Sequence, residues 1–154
     1  MKFLTSKEKK ELLNKIIAIY ECNNFIENAV VALSGKEEKI WLMSREVAEF
    51  DYGNLRLNSA GIYFGRFDNE KLRMSIEGAQ IVGKSAKKNL AIISQEDAQN
   101  FIRGQDLLAE KEISCEEGQN VIVLSESTIL GVSKYKSGSL LSVLPKNRKI
   151  VNKI

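Results

Sequence analysis

The sequence predicts an α+β protein in two parts. A mixed α/β domain with a mainly antiparallel sheet is expected over residues 1–85, and a small β barrel over residues 86–154. Three observations predict it. Helical periodicity is confined to a few short segments, the longest near the start of the chain. Between them, paired apolar runs flank polar turns, the pattern of antiparallel hairpins. Beyond residue 112 come short apolar runs separated by Gly, Ser, Asn and the single Pro, which suits a small barrel. The 154 residues suffice for one ordinary domain or two small ones. An apolar share of 44% and a charged share of 28% are those of a globular chain.

The elements follow in order. Thr5 and Glu8 make a capping box that opens a helix running to about Tyr20. Leu12, Leu13, Ile16, Ile17, Ile19 and Tyr20 give that helix one broad apolar face. Ala29–Leu33 and Ile40–Met43 form a hairpin, with Trp41 as a core or half-buried strand residue. Ser44 caps a short helix through Phe50. "GIYFGRFDNEKLRMSI" reads as a second hairpin, with strands Gly61–Phe67 and Leu72–Ile76 and a turn at Asp68-Asn69. Gly65 inside a strand signals a bulge or a close backbone approach. A short helix over Glu77–Gly83 leads into "GKSAKKN", the expected domain boundary.

After the boundary, "LAIIS" is a short buried strand. Ser94 caps a helix with Glu96 and Asp97 in its first turn, where the helix dipole favours acids. Ala98, Phe101 and Ile102 face the core, Arg103 closes the last turn, and Gly104 supplies a left-handed stop. Ile113 then leads to a turn at Glu116–Gly118, followed by the strands "NVIVLS", "TILGVSKY", "LLSVL" and "KIVNKI". There is no internal repeat.

Composition excludes much catalytic chemistry. The chain has no histidine, so triads that depend on imidazole are impossible and the commonest metal ligand is missing. The two cysteines, Cys22 and Cys115, are too few for a thiolate zinc site. They read as reduced thiols of an intracellular protein, cytoplasmic if prokaryotic, although the spacing leaves a disulfide open. Neither a P-loop nor a dinucleotide fingerprint occurs. No apolar run approaches the roughly 20 residues that span a bilayer. "MKFLTSKEKKELL" turns charged too soon for a secretory leader. The expectation is a monomer without enzyme activity, cofactor, metal or membrane contact.

Charge gives the positive signal. All 20 acidic residues lie at or before Glu126, whereas six of the 23 basic residues follow it. A disordered basic tail is one explanation and a folded polyanion-binding face is the other. The tail carries Leu140, Leu141, Val143, Leu144, Ile150, Val151 and Ile154, too many apolar side chains for a disordered segment. The candidate phosphate contacts are therefore Lys134, Lys136, Lys146, Arg148 and Lys149 on a folded wall. In a strand Lys134 and Lys136 share a face. Tyr135 between them either stacks on an unpaired base or packs inward.

The helix followed by a compact basic β segment resembles a PUA domain, a small RNA-binding pseudo-barrel. The residues that carry this resemblance are "FIRGQDLL", "EEGQNVIV" and "ILGVS". Gln119 stands where an Asp is usual, "AEKEI" replaces a Pro-Gly-Ile turn, and Ser133 replaces a frequent glycine. Over nearly the whole chain, "LTSKEKKELLNKI", "AGIYFGRF" and the spacing through "NFIRG" resemble the Nip-seven family of large-ribosomal-subunit biogenesis factors. Gly61, Phe64, Gly65 and Phe67 match its Gly-x-x-Phe-Gly-x-Phe segment. The resemblance implies an N-terminal domain (1–85) that contacts ribosome-assembly proteins and a PUA domain (86–154) that contacts pre-ribosomal RNA. The alternative is another PUA protein, acting in translation initiation or as an RNA-modification accessory.

Overall fold

A computed structural model describes residues 1–109 and 115–150. The first half comprises β1 (Lys2–Phe3), α1 (Ser6–Tyr20), β2 (Val30–Ser34), β3 (Lys39–Met43), α2 (Arg45–Glu49), β4 (Ile62–Asp68), β5 (Lys71–Met74) and α3 (Ile76–Val82). The second half comprises β6 (Leu90–Ile93), α4 (Gln95–Ile102), β7 (Leu107–Leu108), β8 (Asn120–Ser125), β9 (Thr128–Lys136), β10 (Ser139–Ser142) and a 3-10 turn, Lys146–Arg148. The fold is α+β. No helix among the described residues is long and apolar enough to cross a membrane.

Local chemistry sets the helix starts. The Thr5 hydroxyl accepts from Glu8 N while the Glu8 carboxylate accepts from Thr5 N, at 3.2 and 2.8 Å. Ser44, Ser75 and Ser94 cap α2, α3 and α4 in the same way through their hydroxyls.

The first sheet is an antiparallel meander in the order β1-β2-β3-β4-β5. Gly65 sits opposite a register shift between Ile40 and Trp41, the bulge its position signalled. The turn of the second hairpin falls at Asn69-Glu70, one residue later than expected, because Asp68 still pairs with Lys71 and Asn69 takes the left-handed conformation. The second sheet has the order β6-β8-β9-β10-β7 and curls into a half-barrel. Its β6–β8 pair is parallel and the others are antiparallel. Among the described residues β6 and β7 remain unpaired edges, and α4, which connects them, packs on β7 and β8.

The expected last strand does not begin at Lys149. Pro145 has no N–H to offer a ladder, and Arg148 N and Lys149 N donate to Pro145 O and Lys146 O, which winds the chain into its 3-10 turn. Ile150 N then donates to Ile102 O and ties this segment to the end of α4. Residues 151–154 and Ile113 lie outside the described residues.

Two apolar clusters form the interior. The larger joins Ile16 and Tyr20 of α1, Phe64 and Leu72 of the first sheet, and Val82 of α3 to Ile122 and Val132 of the second sheet. The smaller holds Ala91, Phe101, Leu107, Val121, Val123 and Leu140. Strand alternation on β8 sends Ile122 to the first cluster and Val121 and Val123 to the second. One core therefore runs across the 85/86 position.

Polar groups fasten the same junction. The Tyr20 hydroxyl donates to Asn120 O at 2.8 Å, and Gln119 Nε2 donates to Leu72 O at 3.3 Å. Asn89 Nδ2 donates to Ile19 O at 2.7 Å. Lys87 N and Lys88 N donate to Tyr20 O and satisfy a carbonyl at the end of α1. Burial pushes the Tyr20 hydroxyl well above its ordinary range, so it stays a donor. Cys22 and Cys115 are free thiols. Burial raises both, Cys115 to about 11, which keeps them protonated and poorly nucleophilic.

Candidate nucleic-acid interface

Strand β9 places the first two candidate lysines. Lys134 and Lys136 follow Val132 on one face, Lys134 half-buried and Lys136 exposed. Lys134 is flanked across the strands by Asn120 and Leu141. Tyr135 takes the opposite face, where it pairs with Leu140 and packs against the smaller core. The inward alternative is the one the fold uses.

The remaining three lie on the terminal turn, in different environments. Lys146 is exposed at its start. Arg148 Nη2 meets Glu77 Oε1 of α3 at 2.7 Å. That hydrogen bond, from a residue 71 positions away, holds the Glu77 carboxyl below its ordinary value. Lys149 lays its aliphatic stem over Gly104, leaving no room for a Cβ there. Arg148 alone of the five forms an ion pair among the described residues. The acid-free stretch of sequence is thus not acid-free in space: Glu77 meets Arg148, and Glu117 accepts from Ser137 N at the tip of the β9–β10 hairpin.

These elements enclose a cleft of about 500 Å3 between the two halves. Asn120 and Val132 form part of its lining on the second sheet. Tyr63, Arg73 and Ile76 line it from the first half, and Val143, Pro145 and Arg148 from the terminal segment. Lys134 is the next residue after Val132 on that face of β9. Of the five candidates the structure brings Arg148 into the lining of this cleft. Lys134 lies two residues beyond Val132, Lys146 lies between Pro145 and Asn147, Lys136 is farther along the strand and Lys149 lies over Gly104.

Arg73 and Asn120 were not among the sequence candidates. Arg73 Nη1 donates to Gly118 O at 2.8 Å and contacts Asn120 Oδ1 at 3.4 Å. Neither residue carries a local signal, because their meeting depends on how two sheets dock.

A second concavity, of about 540 Å3, opens in the first half beside Leu42, Met43, Val47 and Ile62. Phe50 and Leu55, on the loop that follows α2, are 65% and 76% exposed. No group of three or more carboxylates or thiols placed to hold a metal occurs among the described residues. No protein-family model matches the chain, and no curated protein matches it.

Proposed function

We propose that this protein is a non-enzymatic RNA-binding factor that acts in large-ribosomal-subunit biogenesis through pre-ribosomal RNA. The observation that carries the reading is the concentration of basic residues after Glu126 on β9 and the terminal turn, of which Arg148 alone forms an ion pair among the described residues. The choice of RNA and of the ribosomal context rests on the resemblance of residues 86–154 to a PUA domain and of the whole chain to the Nip-seven family. In this reading Lys134, Lys136, Lys146, Arg148 and Lys149 contact phosphates. Five of the six basic residues after Glu126 are lysines, compact hydrated charges suited to phosphate contact more than to bidentate base reading. The apolar groove beside Val47 and Ile62 supports docking of a ribosome-assembly protein on the first half.

The test is a salt titration of RNA binding by the full chain. With about four phosphates neutralised on single-stranded RNA, log affinity falls with log salt at a slope of roughly −3. Replacing Lys134 and Lys136 together by Gln shifts that slope by about +1 and weakens unrelated sequences equally. Binding unchanged by this pair and by Lys146→Gln would overturn the reading. In-cell crosslinking of the tagged protein identifies the RNA.

A further inference from the structure

We infer that the cleft between the two halves is a nucleobase slot. It receives one unpaired base of the RNA whose phosphates lie along the basic wall. This deepens the RNA-binding reading and rests on it. Three observations support the assignment.

The first is position. The cleft lies on the face of β9 that carries Lys134 and is bounded by the turn that carries Lys146 and Arg148. A strand of RNA held at both places crosses its mouth, and any unstacked base can turn into it.

The second is shape and polarity. Val132, Val143 and Pro145 give apolar surface, and Tyr63 adds a half-buried ring. A base has two apolar faces and a polar edge, so it needs such walls and a polar floor.

The third is the donor set at that floor. Asn120 is 2% exposed yet reaches the cleft. Its Oδ1 is engaged by Arg73 Nη1, while its Nδ2 has no hydrogen-bond partner among the described residues. The partly exposed Arg73 guanidinium beside it gives Nη1 to Gly118 O and Nε to Asp68, and its remaining N–H groups add to the donor set. An amide donor at the floor of a cleft is open to a ligand that supplies an acceptor. The complementary chemistry is a base edge with keto oxygens, as in uracil or guanine. Glu77, tied to Arg148 through Oε1 at the rim, offers an acceptor there.

The experiment compares a uridine oligomer with a ribose-phosphate oligomer of equal length that lacks bases, on the full chain. The slot predicts that the native protein prefers the uridine oligomer by roughly tenfold, the scale of one held base. Val143 is 42% exposed, so Val143→Trp can fill the cleft without entering the core. That variant is expected to lose the preference, while its affinity for the base-free oligomer and its salt slope stay the same. Ile92→Ser, an exposed apolar position outside the cleft lining, keeps the preference. Melting curves of both variants confirm that they fold. Equal binding of the two oligomers by the native protein, or a preference retained in Val143→Trp, overturns the slot and leaves the phosphate-binding reading standing. Failure of the native protein to bind either oligomer overturns both.

Discussion

The first sheet gives one face to the core, while the second gives both. In the first, Phe64, Leu72 and Met74 point inward under α1 and α3, and the other face carries Trp41, Tyr63 and Arg73, which stay partly exposed. In the second, β8 feeds the large cluster with Ile122 and the small one with Val121 and Val123. The difference teaches where independence ends. A sheet buried on one side can sit on its own helices. A sheet buried on both sides has lent one face to its neighbour, and separating the halves would bare it. The charge split falls after Glu126, whereas the core observes no boundary at 85/86.

The largest test of this comparison is truncation in each cluster. Leu72→Ala in the large cluster is expected to cost about 2–5 kcal/mol, and Leu140→Ala in the small one should fall at the lower end of that range. Trp41, the only tryptophan, reports on the first sheet by fluorescence, and circular dichroism reports on both halves. With one shared core, the two signals melt together in each variant. Separate melts for Leu140→Ala would divide the molecule after all.

Next in size is a pair of matched glycines. Gly65 and Gly131 have φ of +152° and +151°, and each sits opposite a register shift in its sheet. A Cβ on Gly65 would strike the Arg73 carbonyl and lie 2.9 Å from Met74 Cα, all backbone. A Cβ on Gly131 would meet the Phe101 ring at 3.4 Å, close to ordinary contact. Both substitutions carry backbone strain of order 1–3 kcal/mol. Gly65→Ala should exceed Gly131→Ala in chemical denaturation, because a backbone neighbour cannot step aside.

Tyr20→Phe probes the polar fastening. It removes the donor to Asn120 O and is expected to cost about 1–3 kcal/mol in thermal melts, since it orphans a buried carbonyl. An effect near zero would mean that this bond adds nothing to the joining of the halves.

The smallest effect is electrostatic. Glu77 has its carboxyl lowered from 4.5 by Arg148. A lowered folded value means that its contribution is present above about pH 4.5 and is lost as pH falls through the lower folded value. The pair is half-exposed, so the contribution is below about 1 kcal/mol. Arg148→Gln should remove this part of the acid sensitivity, measured as denaturation midpoints above and below that window.

Much of the local structure was legible in the sequence. Capping residues announce helices because their hydrogen bonds close within three residues, as at Thr5 and Glu8 or Ser94 and Asp97. Hairpins were legible for a similar reason. The parallel β6–β8 pair and the two-residue strands β1 and β7 were not, because their partners lie far away in sequence or their length leaves no period. The unbroken run "NVIVL" did carry a signal of burial on two faces, since a strand with one wet face alternates. At the candidate interface, the basic character of the terminal segment could be read directly. That Glu77 would take Arg148, and that Lys149 would lie over Gly104, are properties of the docking of the terminal turn and have no counterpart in local spacing.

The bond from Tyr20 to Asn120 spans 100 residues of chain. It has a consequence for the protein at birth. Synthesis delivers the N-terminus first, so α1 and the first sheet emerge while their completing strands are still unmade. Until β8 and β9 leave the ribosome, Ile16, Tyr20 and Val82 lack the side chains that close over them. The nascent chain therefore carries an open apolar surface from the emergence of α1 until β8 and β9 join it.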